Sequence, residues 1–122
     1  MRQKKIYIAG KYRDVTPEKV AENVKMAEAV AAELLSLGYI VICPHSMTHG
    51  WERFEKLTDD DFLRNGLALL GVCDELVLVG DWTHSQGTKD EVIEAVRCGK
   101  PVHVNYADFL EAEEVYKGKQ GD

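Results

Sequence analysis

Two consecutive stretches decide the fold of this chain: the apolar run Glu75-Leu76-Val77-Leu78-Val79 and the polar run Ser85-Gln86-Gly87-Thr88-Lys89-Asp90-Glu91. The apolar run predicts a buried strand, and the polar run leads into a helical pattern that Gly99-Lys100-Pro101 closes. We therefore expect Glu91 in the first turn of a helix whose N-terminus faces the carboxyl end of that strand. In an open α/β sheet, this crevice is where ligands bind.

The same alternation of apolar strands and amphipathic helices runs through the whole chain. We predict strands at residues 5–9, 39–43, 74–79 and 101–104. Helices are predicted at residues 17–37, at 88–98, and between a cap at residues 58–61 and residue 71. Residues 45–57 are predicted to form a long loop with one short helix, and the chain ends in a polar helical tail. Thr16 and Pro17 suit the start of the first helix, and Gly38 suits its end. The apolar second strand is expected to be covered on both faces.

This order predicts one three-layer α/β domain over residues 1–122, doubly wound, with a four- to five-stranded parallel sheet of the flavodoxin or Rossmann type. The chain has 122 residues, 45% of them hydrophobic, which is enough for one core and leaves no room for a second domain.

Charge and hydropathy exclude several classes of partner. The chain has 15 basic and 21 acidic side chains, a net charge of -6 (15 minus 21) that is spread along the sequence. Binding to polymeric nucleic acid is disfavoured, because neutralising phosphates requires a basic face. The N-terminal apolar segment is too short for a signal peptide and no run approaches a membrane span, so we expect a cytoplasmic protein without membrane contact.

The cysteines and histidines show no spacing that is typical of a metal site. We interpret the cysteines as reduced core residues and the loop histidines as hydrogen-bonding groups; they are Cys43, Cys73, Cys98, His45, His49 and His84. The sequence therefore predicts neither a metal nor an organic cofactor.

Polar, aromatic and glycine residues are concentrated in the loops that follow the predicted strands. They are Tyr7, Gly10, Lys11, Tyr12 and Arg13 around the end of the first strand, Pro44, His45, His49 and Trp51 after the second, and Asp81, Trp82, Ser85, Gly87 and Glu91 after the third. Because the carboxyl ends of parallel strands share one edge of the sheet, we expect these loops to form a ligand site.

These motifs resemble the nucleoside 2-deoxyribosyltransferase superfamily, including its small uncharacterised members and its branch of nucleotide N-glycoside hydrolases. The resemblance covers residues 5–104. It rests on Lys5-Ile6-Tyr7-Ile8-Ala9-Gly10, on Cys73-Asp74, and on Ser85-x-Gly87-x-x-x-Glu91 followed by Ala95 and Gly99-Lys100-Pro101. It implies cleavage of the N-glycosidic bond of a small 2-deoxynucleoside or its 5′-monophosphate. It also implies a homo-oligomer in which a partner subunit completes each site, and Asn105 is the local candidate for that contribution.

The resemblance also implies the chemistry of Glu91. In the family, a Glu at this position attacks the anomeric carbon of a deoxyribosyl group, and a second base or water resolves the covalent intermediate, as in a retaining glycosidase. We expect the helix dipole to keep Glu91 ionised and Gly87 to let the backbone approach the sugar. Tyr7 resembles a strand-end Tyr that orients the nucleophile. The alternatives are a core aromatic for Tyr7 and a solvated first-turn residue for Glu91.

Ser85 bears on the substrate. Family members that act on free nucleosides generally carry Asp here, whereas those that act on 5′-monophosphates carry Ser, and a hydroxyl tolerates a phosphate that a second carboxylate repels. Lys11 and Arg13 either add positive charge for that phosphate or are ordinary solvated loop residues. The resemblance thus favours a phosphorylated substrate. Further candidates for substrate binding are Gly10, Pro44, His45 and Asp81.

Three positions match the family less well. The family places an acid for the leaving base on the helix before the third strand; Asp61 or Asp60 is the candidate, although the match slips by several residues and N-capping competes with it. Trp82 either stacks on a base or covers the core. Ile93 stands where the family often has Gly and is expected to narrow the base side of the pocket.

The sequence therefore supports an N-glycosidic enzyme as the leading hypothesis, acting by transfer or by hydrolysis. The alternative is a non-catalytic nucleotide-binding module on the same fold, for which Ile93 and the missing acid are the motivation. A third hypothesis is a nucleotide hydrolase on a related doubly wound fold, but no arginine-rich phosphate motif follows a strand.

Overall fold

The computed structural model describes residues 3–119 and confirms the predicted α/β fold. Its four strands are all parallel and lie in the order β2-β1-β3-β4. The elements are β1 Lys5–Gly10, α1 Pro17–Ser36, β2 Ile40–Ile42, α2 Pro44–Met47, a 3-10 turn Trp51–Arg53, α3 Asp59–Gly71, β3 Glu75–Val79, α4 Gln86–Arg97, β4 Val102–His103 and α5 Tyr106–Lys119. The predicted tail beyond residue 119 lies outside the described residues.

Helix caps fix where the predicted helices begin. The Thr16 side chain accepts a hydrogen bond from the backbone N–H of Lys19, and Pro17 occupies the first turn of α1. Gly38 follows α1 with φ +96, a left-handed conformation that favours glycine. Ser85 caps α4 in the same way, so this helix begins at Gln86 and not near Thr88 as predicted. The earlier start changes the position of Glu91 within the helix.

The alternating side chains of β1 pack on opposite faces of the sheet. Ile6 and Ile8 join a core cluster that includes residues of α1 and α5, among them Leu34 and Phe109. Tyr7 and Ala9 belong to the opposite cluster, with residues of α3 and α4. Since side chains alternate across a strand, this register sends Tyr7 toward the face where α4 lies. The fold therefore places the strand-end tyrosine beside the helix that carries Glu91.

Several sequence expectations need correction. The strand β2 lies at the edge of the sheet and is only partly covered: Val41 and Ile42 pack against opposite core clusters, whereas Ile40 is 39% exposed. Cys98 is exposed at the end of α4, unlike the two buried cysteines. The apolar pattern of α4 assigns Val92, Ala95 and Val96 to its inward face. Val92 and Ala95 do pack on the core cluster, but Val96 is exposed.

At the amino end of the sheet, charged side chains form ion pairs that stabilise the fold. Glu75 is buried at the start of β3, with Lys4 Nζ at 2.7 Å and His103 Nε2 at 2.6 Å from its carboxylate oxygens. Lys4 also bonds Glu113 of α5 at 2.6 Å, which ties that helix to the sheet. No helix between residues 3 and 119 has the length and apolarity that crossing a membrane requires.

Candidate active site

A cavity of about 540 Å³ lies at the carboxyl edge of the sheet, between the loops that follow the strands and the helices α3 and α4. This volume falls in the range of small-molecule sites. Gly10 belongs to its wall, and a Cβ at this residue would lie 2.6 Å from the carbonyl oxygen of Val79. Glycine is therefore required where β1 and β3 run closest together at the cavity.

Tyr7 and Glu91 form the central contact of the cavity wall. The Tyr7 hydroxyl donates a hydrogen bond to Oε2 of Glu91. The Tyr7 side chain is fully buried, and burial together with the adjacent carboxylate raises the pKa of its hydroxyl far above the ordinary value. Tyr7 is therefore a permanent donor at any pH at which the protein works.

Burial raises the pKa of the Glu91 carboxyl to about 7. The hydrogen bond from Tyr7 acts in the opposite direction, and the nearby charge of Asp90 adds to the increase. The expectation that the helix dipole keeps Glu91 ionised is wrong, because α4 begins at Gln86 and Glu91 consequently lies in its second turn. Both the protonated and the ionised form of Glu91 are therefore accessible near neutral pH, a condition suited to a group that must exchange a proton or a bond.

Helix α3 covers the Tyr7–Glu91 pair with a glycine. A Cβ on Gly66 would lie 2.9 Å from the Tyr7 hydroxyl oxygen and 3.3 Å from Glu91 Oε2. The resemblance implies an acid on this helix, but the residue that faces the pair has no side chain. Sequence reasoning missed Gly66; its one signal is a glycine in the interior of a helix, where glycine is unfavourable.

Most of the predicted site residues come together around this cavity. Those that line it are Tyr7, Gly10, Lys11, Arg13, Pro44, His45, Ser85, Gly87 and Glu91. A Cβ on Gly87 would meet nothing within 4 Å, so the packing of the chain itself does not demand glycine there. Gly87 is itself part of the cavity wall.

The structure corrects the role predicted for Asp61. Its carboxylate accepts hydrogen bonds from the Thr58 backbone N–H at 2.8 Å and from Arg64 at 2.8 Å, which completes the capping box of α3. These bonds lower the pKa of Asp61, the opposite of what a proton donor needs. Asp61 does not belong to the cavity wall, whereas its neighbour Asp60 does. Asp61 is thus a capping residue.

Asp81, Trp82 and Ile93 also lie outside the cavity wall. Asp81 accepts hydrogen bonds from the backbone and side chain of Thr83, which fold the loop after β3 and lower the pKa of this carboxyl. Trp82 packs on the core cluster between the sheet and α4, which agrees with the core interpretation. Ile93 is 63% exposed on the outer face of α4 and does not narrow the pocket.

The two predicted cations already have acidic partners. Lys11 Nζ lies 3.3 Å from Asp14, and Arg13 donates to Asp59 at 2.7 Å. Asp59 lines the cavity as well, together with further carboxylates that the sequence did not single out. An incoming phosphate would therefore share the Arg13 guanidinium with the Asp59 carboxylate or displace it.

The loop after β1 is bound to the segment after β2. Tyr12 donates to Glu52 and accepts from the backbone N–H of Gly50 at 2.9 Å, and its hydroxyl lies 3.1 Å from Nδ1 of His49. His45 is buried, its Nε2–H donates to the Lys11 carbonyl at 3.1 Å, and burial lowers its pKa, so the ring is neutral. Tyr12 and Glu52 both line the cavity. These contacts hold the β1 and β2 sides of the cavity together.

Within residues 3–119, no three His, Cys, Asp or Glu side chains form a group that could hold a metal ion. Asn105 accepts a hydrogen bond from the backbone N–H of Asp108 at 2.8 Å at the start of α5. In this chain, its side chain is a helix cap.

The sheet order and flanking helices place the protein in the class of α/β proteins with a 2-deoxyribosyltransferase-like fold. The structure is similar to that of the 2-deoxyribosyltransferase from the psychrotolerant bacterium Bacillus psychrosaccharolyticus, which is described as a biocatalyst for nucleoside synthesis. The TM-score is 0.57 at 25% sequence identity, over 80% of this chain and 69% of that chain. The chain belongs to the family described as "Domain of unknown function (DUF7768)", whose model matches residues 4–105. No curated protein matches the sequence.

Proposed function

We propose that this protein cleaves the N-glycosidic bond of a 2-deoxynucleoside or its 5′-monophosphate through a covalent glycosyl-Glu91 intermediate. The observation that carries the proposal is the Tyr7–Glu91 hydrogen bond in the wall of the cavity. The similarity to a 2-deoxyribosyltransferase supports nucleoside chemistry on this fold. In the proposed reaction, one domain supplies the nucleophile, and a homo-oligomer closes the open side of the cavity to water.

The first step needs the ionised form of Glu91. Its carboxylate oxygen forms a bond to C1′ of the sugar while the bond from C1′ to the base nitrogen breaks, and the base leaves with the electron pair. Tyr7 donates its hydrogen bond throughout and orients the attacking carboxylate. In the second step, water or an acceptor base attacks C1′ and releases Glu91 as a carboxylate.

The departing base also needs a proton. Of the two aspartates that the sequence offered for this role, Asp60 lines the cavity and Asp61 does not. We therefore assign to Asp60 the orientation of a water molecule that gives this proton to the departing base. Gly87 leaves room for the sugar beside the first turn of α4.

A chromatographic assay with a panel of 2-deoxynucleosides and their 5′-monophosphates, with and without acceptor base, tests this function. Release of free base without acceptor would establish hydrolysis, and a new nucleoside in the presence of acceptor would establish transfer. Failure to release or exchange a base from every member of the panel would refute an enzyme of this kind.

A non-catalytic nucleotide-binding module remains the second candidate, because α3 presents Gly66 and not an acid beside the Tyr7–Glu91 pair. Titration calorimetry on the same panel separates the two functions. Binding of a nucleotide without any product would favour the binding module, since an enzyme would consume its ligand during the measurement.

A substitution at Ser85 tests whether the substrate carries a 5′-phosphate. Its hydroxyl caps α4 and lines the cavity, and Asp is an equally good N-cap, so Ser85→Asp adds a charge while keeping the helix start. We expect this variant to lower kcat/KM for monophosphates by about ten- to a hundredfold, because a carboxylate within several ångströms repels a phosphate by roughly 2 kcal/mol or more. The rate with free nucleosides should change by less than about threefold, which corresponds to under 0.7 kcal/mol.

Ser85→Asn is the matched control, since it caps the helix without a charge. Ser85→Asn should retain the preference of the wild-type protein for monophosphates over nucleosides. Equal losses on nucleosides and monophosphates in Ser85→Asp would contradict a phosphate near Ser85, as would faster turnover of nucleosides by the wild-type protein.

A further inference from the structure

Gly66 stands where a side chain would be favourable for the helix but not for the site. It is buried in the interior of α3, a position in which alanine would stabilise the helix more than glycine does. Its φ is not in the left-handed region, so the backbone does not require glycine. The reason for glycine must therefore be what a side chain would touch.

A Cβ at residue 66 would meet the Tyr7–Glu91 pair. It would lie 2.9 Å from the Tyr7 hydroxyl oxygen and 3.3 Å from Oε2 of Glu91. The first distance is shorter than carbon and oxygen atoms tolerate without a bond between them. Either the pair or the helix would have to move.

Tyr7 cannot easily give way. Its side chain is fully buried on β1, a central strand that pairs with β2 on one side and β3 on the other. Its hydroxyl is held by Glu91, and its ring belongs to the core cluster under α3 and α4. Close-packed interiors transmit such a displacement instead of absorbing it. A Cβ at residue 66 would therefore press on a hydroxyl that is held in place and would also crowd Oε2 of Glu91 at 3.3 Å, so the hydrogen bond between the two groups is what yields.

We propose that Gly66 is a positioning residue, whose missing side chain lets the Tyr7 hydroxyl and the Glu91 carboxylate meet at the cavity wall. The proposal deepens the proposed function and rests on it for the catalytic role of the pair. Gly66 has no side chain that could take part in the reaction. It acts through Tyr7 and Glu91, by reserving the volume in which their hydrogen bond forms.

Gly71 provides a matched control in the same helix. A Cβ at this position would meet nothing within 4 Å, and Gly71 is not part of the cavity wall. Gly66→Ala and Gly71→Ala therefore make the same chemical change in α3, one against the pair and one in open space. Because Gly71 is the exposed last residue of α3, the comparison rests on the Tyr7–Glu91 pair itself, which only the alanine at residue 66 would touch.

The first measurement is the titration of the Glu91 carboxyl by carbon-13 NMR, with Glu91→Gln to assign its signal. We expect Gly66→Ala to move the midpoint from about pH 7 to about pH 8, because a displaced carboxylate loses the bond from Tyr7 that favours its charged form. Base release should fall about tenfold or more, through kcat more than KM. Gly71→Ala should leave both unchanged. Identical titrations in the two alanine variants would overturn the proposal.

The second measurement is a double-mutant cycle on thermal unfolding. Tyr7→Phe removes the oxygen atom that the new Cβ would meet, so Gly66→Ala should lower Tm by about 5 °C or more in the wild-type background and by clearly less in the Tyr7→Phe background. Equal losses in both backgrounds would contradict the contact. Neither the titration nor the cycle requires turnover, so they can succeed or fail even if the wild-type protein releases no base and the proposed function is wrong.

Discussion

Replacing Glu91 by Gln is expected to abolish base release and, at the same time, to make the protein more stable at pH 8. The amide keeps the size of the side chain and can still accept the hydrogen bond from Tyr7, but it cannot form the glycosyl ester, so we expect a loss of at least about a thousandfold in kcat. The loss of rate and the gain of stability have the same origin, because the substitution removes the buried carboxylate of Glu91.

The pH dependence of this stability change follows from the pKa of Glu91. The folded protein holds the Glu91 proton up to about pH 7, whereas the ordinary value in an unfolded chain is near 4.5. Between these two pH values the folded state binds more protons than the unfolded state, so the stability contributed by this group falls as the pH rises. The complete difference is on the order of 3 kcal/mol. The Glu91→Gln protein does not lose this stability, so it should be more stable than the wild-type protein above pH 7 and about equally stable at pH 4.5 or below.

Urea unfolding of wild type and variant at pH 5 and pH 8 measures the effect. The variant should have the advantage mainly at pH 8. Glu94→Gln is the control on the same helix, since Glu94 pairs with Arg97 on the surface and lies outside the cavity. It should release base at the wild-type rate. A Glu91→Gln protein that still releases base normally, or whose stability gain is the same at both pH values, would show that Glu91 is not a buried nucleophile.

The fold could be predicted because local and long-range signals agree in this chain. Thr16 and Pro17 begin α1, and Gly38 follows its end with the positive φ that the sequence indicated. The apolar strand β1 lies between two others, and its alternating residues are buried on both faces. The edge position of β2 was not predictable, because a short apolar strand looks the same in the centre of a sheet and at its edge.

The errors in the site arise from capping bonds. Ser85 and Thr88 are both good N-caps, and two bonds to Ser85 decide that α4 begins at Gln86: the Thr88 N–H donates to its hydroxyl and the Lys89 N–H to its carbonyl. That shift moves Glu91 from the first turn into the second, and burial replaces the dipole as the main influence on its pKa. Similarly, three consecutive aspartates begin α3, and the capping box selects Asp61 and leaves Asp60 at the cavity.

The helical phase explains the remaining differences. Ile93 and Val96 are apolar, and a sequence pattern assigns such residues to the core or to a pocket. In the structure both are exposed, because Val92 and Ala95 take the buried side of α4. Gly66 was missed for the opposite reason, since a residue without a side chain carries no periodic signal. Its role is visible only from the atoms that a Cβ would touch.

Replacing Tyr7 by Phe is expected to move the pH–rate profile of the enzyme. The reactive form of Glu91 is the carboxylate, so kcat/KM of the wild-type protein should rise with pH and level off above about pH 7. The Tyr7 hydroxyl favours that charged form, and its own pKa lies too high for it to contribute a second limb. Losing a hydrogen bond to a charged group costs about 1.5 to 3 kcal/mol. The midpoint should therefore rise to about pH 8 to 9, with a loss of about five- to fiftyfold at pH 7.

The shape of the profile distinguishes this role from simple packing. Part of the loss should be recovered at about pH 9, where Glu91 is ionised even without its donor. Tyr39→Phe is the matched control, because the Tyr39 hydroxyl also donates to a carboxylate, Glu113 at 2.9 Å, but lies outside the cavity wall. Its profile should keep the wild-type midpoint. If Tyr7→Phe lowered the rate equally at every pH, the hydroxyl would serve the core and not the ionisation of Glu91.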